Sequence, residues 1–521
     1  MKRREFIQKS IPAVITLPSL INGLTVKAFT SHHLFSALLP PNDTDKVLVM
    51  IQLNGGNDGL NTVVPIEYYS AYYNARSNLA IPQNNLLSLN GQAGTGLHPA
   101  MTGIQSLYNS GKMNIVQGVS YPNPNFSHFR ATDIWMSASD SDENIPSGWA
   151  GRYLDTQFPG YPNNYPNSSM PDPLAIQIGS LTSLVTQGPS VNMGLSISDP
   201  SSFYNLVNGI EDPAPSTPAG RELVYIRNVA RQSNQYADAI TDAYNNFTQQ
   251  GTYPNTNLAG QLKIVARLIK GGLKTRIYMV NIGGFDTHSQ QANIGDTTTG
   301  THANLLSQLS DAMKAFQDDL QFLGIEDRVL GMTFSEFGRR IKSNGSSGTD
   351  HGAGAPMFLF GSKVKAGITG QNPQIPSNVS VNDNVAMQYD FRSVYSSILS
   401  QWFCADNSTL QSSILQNFQT LPIIQGQVCG MEPVNPNGVL ISNFPNPFTT
   451  NTTIQYTSAG GHTLVQIIDA TGKLIRKLAE AEMPPGTYTA SFNASGLPSG
   501  VYYSRLQNGS ISQVKAMLKI Q

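Results

Sequence analysis

Lys46-Val-Leu-Val-Met-Ile-Gln-Leu53, breaking at once into Asn54-Gly-Gly-Asn-Asp-Gly59, is the stretch that decides the fold. Its apolar residues do not alternate with polar ones, so a strand made from it is buried on both faces. That environment exists in a parallel sheet covered by helices on either side. Runs of the same kind recur at Met113–Val119, Leu174–Ile178, Thr275–Ile282, Arg328–Phe334 and Pro356–Phe360. Between them lie helical periods. Leu305, Leu309, Met313, Phe316 and Leu320 fall on one face of a helix, and Glu222 to Phe247 and Leu262 to Ile269 read in the same way. Alternating strands and helices predict a doubly wound, mainly parallel α/β domain.

The chain has 521 residues, against a prior of ~150 residues per domain, so two or three domains are expected. Lys and Arg number 32 and Asp and Glu 33, a net charge of −1 that removes the electrostatic basis for a nucleic-acid partner. Only 12% of residues are charged, a balance commoner in extracellular than in cytosolic proteins.

Residues 1–29 open on Lys2-Arg3-Arg4-Glu5-Phe6-Ile7 and continue as a short apolar stretch interrupted by Pro12, Pro18 and Asn22. A basic front and a weak apolar segment make an export signal, not a spanning helix, which needs about 20 apolar residues. The Arg pair followed by Phe-Ile resembles the twin-arginine signal, which implies transit of a folded protein through the periplasm. A generic signal with a chance Arg pair is the plainer alternative. No other stretch approaches transmembrane length, and 30–45 reads as a polar leader. The two cysteines, Cys404 and Cys429, are too few for a metal site of their own. As a disulfide they would close a loop of about 25 residues, stabilising by roughly 3 kcal/mol.

Composition shifts near Gly430. Residues 431–438 are a linker by their Pro, Asn and Gly content, and 439–521 break into short alternating runs, the pattern of a small antiparallel β-sandwich. Asn443-Phe-Pro-Asn-Pro-Phe448, Asp469-Ala-Thr-Gly-Lys473, Leu497-Pro-Ser-Gly-Val-Tyr-Tyr503 and Lys515-Ala-Met-Leu-Lys519 stand in order at the C-terminus. This tail resembles the type A sorting domain of the type IX secretion system of Bacteroidetes-type bacteria, which implies secretion machinery as a partner and a cell-surface or extracellular destination. The alternative is an adhesive or carbohydrate-binding sandwich; the positions of Tyr488, Tyr502 and Tyr503 suit a core better than an exposed binding face.

In the 46–430 domain, chemistry is expected beyond the carboxyl ends of strands, where doubly wound sheets bind ligands. Asp58 follows the first strand. Asp286 and His288 follow Thr275–Ile282, Glu336 follows Arg328–Phe334, and Asp350 and His351 precede Pro356–Phe360. Carboxylates with neutral imidazoles suit zinc, manganese, iron, magnesium or calcium. Each has a plainer reading: Asp58 as a turn former, Asp286 and His288 as caps, and Asp350-His351 as a solvated loop. Ser127, in Asn123-Pro-Asn-Phe-Ser-His-Phe-Arg-Ala131, precedes a helical run. It reads as an N-cap, and equally as a nucleophile at the positive end of a helix. His98, His128 and Arg130 are candidates for binding a substrate anion, or for packing. No Gly-x-Ser-x-Gly elbow supports a serine hydrolase.

Leu53-Asn-Gly-Gly-Asn-Asp-Gly-Leu-Asn61, Leu97-His-Pro99, Asn125-Phe-Ser-His-Phe129, Gly148-Trp-Ala-Gly-Arg152, Gly284-Phe-Asp-Thr-His288, Phe334-Ser-Glu-Phe-Gly-Arg339 and Asp350-His-Gly352 together resemble a family of exported, twin-arginine-signalled, sulfatase-like bacterial proteins of unknown function in the alkaline phosphatase superfamily. The resemblance implies an alkaline phosphatase-like fold and a metal-dependent hydrolase of small-molecule or polymer phosphate or sulfate esters. It places Asp58, Ser127 and Glu336 on one divalent ion and Asp286, His288 and His351 on another, with Arg339 beside His98, His128 and Arg130 on the substrate. Two departures stand out. Asp286 and His288 are only two residues apart, and Glu336-Phe337 replaces an Asp-His pair, so one of the two ions is in question. A surface binding protein that keeps the fold without turnover is the competing expectation.

Overall fold

A computed structural model describes residues 45–180, 182–198, 236–247 and 251–425, Thr217, most of 441–520, and two short strands at Leu20–Ile21 and Leu24–Thr25. Most of the expected export signal, almost all of the leader, the linker 431–438 and the helix expected from Glu222 up to residue 235 lie outside these residues. Cys404 is held in a disulfide; its expected partner, Cys429, also lies outside them. The chain divides into two units, Met1–Cys429 and Gly430–Gln521.

The first unit is built on a nine-stranded sheet. Its strands are β1 (Val47–Leu53), β2 (Met113–Ser120), β3 (Ala175–Ile178), β4 (Gly194–Ile197), β5 (Ile277–Ile282), β6 (Val329–Phe334), β7 (Ala355–Phe360), β8 (Gly367–Thr369) and β9 (Tyr389–Asp390). The order is β8-β2-β7-β6-β1-β5-β3-β4, with β9 also on β2. All pairings are parallel except those of β7, which runs antiparallel to both β6 and β2. The α/β fold class expected from the apolar runs is present, with β7 reversed. The stretch between β6 and β7 forms a hairpin, Gly338–Ser343 with Thr349–Gly352, where a parallel partner would need a crossover.

Both faces of the sheet are covered, and β1 shows why its sequence does not alternate. Val47, Val49, Ile51 and Leu53 pack with the helices α1 (Thr102–Asn109), α4 (Asn257–Lys270) and α5 (Thr301–Phe322). Leu48 and Met50 enter a second core with α2 (His128–Ser137), α3 (Trp149–Gln157), α6 (Phe391–Ser397) and α7 (Asn407–Ile414). The helix α5 presents Leu305, Leu309, Met313, Phe316 and Leu320, all buried, to the first core.

The second unit has two antiparallel sheets, one of Ile441–Phe444, Asn451–Ser458 and Gly486–Asn493, the other of Leu474–Met483, Gly461–Asp469, Gly500–Asn508 and Ile511–Lys519. Phe448, Ile454, Tyr456, Val465, Phe492, Tyr502 and Met517 form its own core. Tyr502 is buried there, and Tyr488 stacks on Tyr456 with ring centroids 5.8 Å apart.

Candidate metal centre

Strands β6, β1 and β5 are adjacent and parallel, so the loops leaving their carboxyl ends emerge side by side. The loop after β5 carries Asp286 and His288. That after β6 carries Glu336, and the hairpin brings His351 opposite Arg339. The helix α2 adds His128 at its first position, after Ser127. Ligand atoms of His128, Asp286 and His351 all lie within 4.8 Å of one another.

Each imidazole is oriented through Nδ1. That of His351 donates to the carbonyl of Phe126 at 2.8 Å, that of His128 meets Glu336 Oε1 at 2.9 Å, and that of His288 meets Asp350 Oδ1 at 3.1 Å. Glu336 Oε1 also accepts from the Gly55 N–H, and Asp350 Oδ1 from the Asn344 amide, so both act as acceptors and assign the proton to Nδ1. The three Nε2 atoms are left facing Asp286. Those of His288 and His351 are 3.3 Å from Oδ1, and that of His128 is 3.4 Å from Oδ2. Phe337 packs under the rings of His128 and His351 at centroid distances of 5.0 and 4.3 Å.

Burial pushes the Asp286 carboxyl up, but the hydrogen bond and charge of Arg339, with His351 and His288 behind it, bring it down to about 2. Burial lowers His351, which favours its neutral, ligating form. Asp286 is 45% exposed, so the centre opens to solvent on one side.

The remaining expected residues sit differently. Asp58 is outside the cluster: it is 1% exposed, both its oxygens accept from Arg76 at 2.7 to 2.8 Å, and Gln291 donates to Oδ2 at 2.6 Å. Burial raises its pKa, but the Arg76 ion pair, His302 and the Gln291 hydrogen bond together outweigh this and leave it lowered. Its carboxylate is paired with a guanidinium and stands apart from the histidines, where the resemblance had implied a metal ligand. Arg339 is buried too, donating to Gly56 O at 2.7 Å, Thr349 O at 2.7 Å, Phe285 O at 3.0 Å and Asp286 Oδ1 at 2.7 Å, and also to Gly55 O. It ties three loops together and has no face for a substrate. His98 is buried, with Nδ1 accepting from the Ala100 N–H and its ring edge-on to His302. Arg130 binds the carbonyls of Asp140 and Ser141 beyond its own helix. Neither has a bond to a member of the cluster. Ser127 is exposed at the N-cap of α2 without a side-chain capping bond.

Arg76 and Gln291 escaped the sequence reading. Gln291 accepts from Thr287 and Thr349, neighbours of the two segments that carry His288 and His351, while holding Asp58. Nothing in the local pattern marks either residue; the only signal is the buried carboxylate they meet.

Fold and site define an α/β protein with a His- and Asp-rich centre at the carboxyl ends of adjacent parallel strands, joined to a separate antiparallel tail. More particularly, residues 222–401 match the family described as Protein of unknown function (DUF1501), and residues 442–520 match the Secretion system C-terminal sorting domain. The tail indicates export to the cell surface or the extracellular space and engagement with the type IX machinery. Among the described residues no helix is long and apolar enough to cross a membrane.

Structural neighbours include a protein of the alkaline phosphatase superfamily from Vibrio parahaemolyticus, 8% identical over 91% of this chain and 82% of that one, with a TM-score of 0.29. A sulfatase from Pseudoalteromonas sp. is 9% identical over 89% and 86%, with a TM-score of 0.31. A surface component of the type-IX secretion system of Porphyromonas gingivalis is 22% identical over 19% of this chain, with a TM-score of 0.13, and this chain covers 14% of that protein. No curated protein matches. The fold class rests on the sheet order itself.

Proposed function

We propose that the first unit is a metal-dependent hydrolase of phosphate or sulfate esters, exported by the twin-arginine route through the periplasm and working at the cell surface. The observation that carries the reading is the tripeptide Phe126-Ser127-His128. Both neighbours of the serine touch the cluster, Phe126 through its carbonyl and His128 through its ring.

A divalent ion held by the cluster would supply Lewis-acid stabilisation of charge on the transferring group and lower the pKa of a nearby hydroxyl. Ser127 supplies the nucleophile: Oγ gives up its proton to solvent and bonds to phosphorus or sulfur, the bond to the ester oxygen breaks, and the alcohol leaves with a proton from solvent. Water then attacks the phospho- or sulfo-serine, releasing the anion and restoring the hydroxyl. The N-terminus of α2 favours the negative charge that develops there. Arg339, fixed by four carbonyls, holds the Asp286 carboxylate in place.

The capture of Asp58 by Arg76 favours a single ion where the family pattern has two, and it also favours the competing reading of a binding protein without turnover. The two separate on aryl phosphate and aryl sulfate panels. Hydrolysis with a covalent adduct on the peptide bearing Ser127, absent in Ser127→Ala, supports the hydrolase. Stoichiometric metal without turnover on either panel supports the binding protein.

A further inference from the structure

Beside Ser127 stands an apolar side chain that ester chemistry at the serine leaves unused. Phe129, the second residue of α2, is 87% exposed, the most exposed aromatic side chain among the described residues. The helix buries Ala131, Ile134 and Trp135 on one face. At about 3.6 residues per turn, Phe129 lies about 160° round the helix from Ala131, on the side away from that core. A single exposed apolar residue means little by itself; the position of this one gives it meaning. Ser127 and Phe129 are two residues apart, so their Cα atoms lie within about 7 Å of each other. Both are exposed at the positive end of α2. An ester whose phosphorus or sulfur sits at Ser127 Oγ therefore brings its alcohol portion within reach of the Phe129 ring. Phe126, on the other side of the serine, does not offer the same surface. It is half-buried, and its ring centroid lies 5.1 Å from the Arg340 guanidinium, which is anchored on the Asn382 carbonyl.

We propose that Phe129 is a specificity platform, stacking against a ring in the alcohol portion of the ester and selecting ring-bearing phosphate or sulfate esters over short-chain alkyl ones. The proposal rests on reading Ser127 as the reacting residue and goes further, to the class of substrate. A phenyl ring offers an apolar π-face and no hydrogen-bonding group, so it selects by shape and apolar area, and a flat ring fills that face where a short linear chain does not. With no proton to give and no lone pair to donate, Phe129 takes no part in bond making. Its contact with the alcohol portion is the same before and during reaction, so it acts on KM and not on kcat.

The test is equilibrium binding to full-length protein, by titration calorimetry, of two non-hydrolysable pairs: phenylphosphonate against methylphosphonate, and benzenesulfonate against methanesulfonate. For at least one pair the wild type should prefer the ring-bearing member by about 10-fold, the scale of one ring's apolar contact. Phe129→Ala should erase that preference while the methyl ligand binds as before, and Phe129→Trp should keep it. Because the side chain is outside the core, both variants should retain the wild-type thermal transition. In aryl ester hydrolysis, Phe129→Ala should raise KM about 10-fold and leave kcat unchanged. Equal binding of ring-bearing and methyl ligands by the wild type, or a preference that survives Phe129→Ala, overturns the platform; turnover of aryl esters then leaves the hydrolase reading standing. A preference that depends on Phe129 without turnover keeps the ring site and overturns the hydrolase reading. If neither ring-bearing ligand binds, the platform falls, and if turnover is absent as well the hydrolase reading falls with it.

Discussion

Asp286 is the residue on which three imidazoles converge, and its behaviour depends on residues that touch no substrate. Glu336 fixes His128 through Nδ1 and is itself pinned by the Gly55 N–H. Glu336→Gln keeps the shape but puts an amide where a carboxylate polarises the ring, so metal affinity should fall roughly 10–100-fold, readable by competition with a chromophoric chelator. Asp58 acts on stability instead. Its folded pKa is depressed by Arg76, so its stabilisation is fully present above the unfolded value of about 3.9 and is lost as pH falls through the folded one. Asp58→Asn strands the buried Arg76 charge and should cost about 3–5 kcal/mol at pH 7. That deficit should shrink as pH falls from ~3.9, where the unfolded chain takes up the proton, towards the lower value at which the folded carboxyl protonates. Urea unfolding at neutral and acid pH measures both; a deficit that does not change with pH would count against the ion pair as its source.

At the scale of elements, what positions the centre is how closely the loops pack. Gly55, at φ +121°, lies so near the loop after β5 that an added Cβ would stand 2.2 Å from the Asp286 backbone nitrogen. Gly55→Ala should therefore displace Asp286 and reduce metal binding about as much as losing an orienting partner, roughly 10–100-fold, with the sheet intact by circular dichroism. The strands β1, β2, β5 and β6 were legible as apolar runs because both their faces are buried. The hairpin carrying His351 was not: Gly338–Ser343 and Thr349–Gly352 hold Arg, Lys, Thr, Asp and Gly, and their pairing is stabilised by Arg339 and by bonds to the β5 loop. In the tail, Leu474–Met483 escaped notice because its residues are all exposed or only partly buried, so no apolar face shows. The strand-end rule located Asp286, His288 and Glu336, but it could not tell that Asp58, at the end of β1, faces a guanidinium delivered from Arg76.

For the whole molecule, the ligands and their anchors all lie in the first unit, and the tail has a core of its own. A chain ending before residue 430 should keep wild-type metal affinity and lose only export, as followed by metal titration of the truncated protein and by cell fractionation. The account as a whole says that a cation held by histidines and Asp286 works with the Ser127 hydroxyl on an ester. The most direct test is the rate of aryl phosphate and aryl sulfate hydrolysis by full-length protein before chelation, after chelation, and after one equivalent of zinc is restored. Activity that disappears and returns with the metal, and is lost in Ser127→Ala under loaded conditions, is the predicted result. Hydrolysis indifferent to chelator, or retained without the serine hydroxyl, would contradict it.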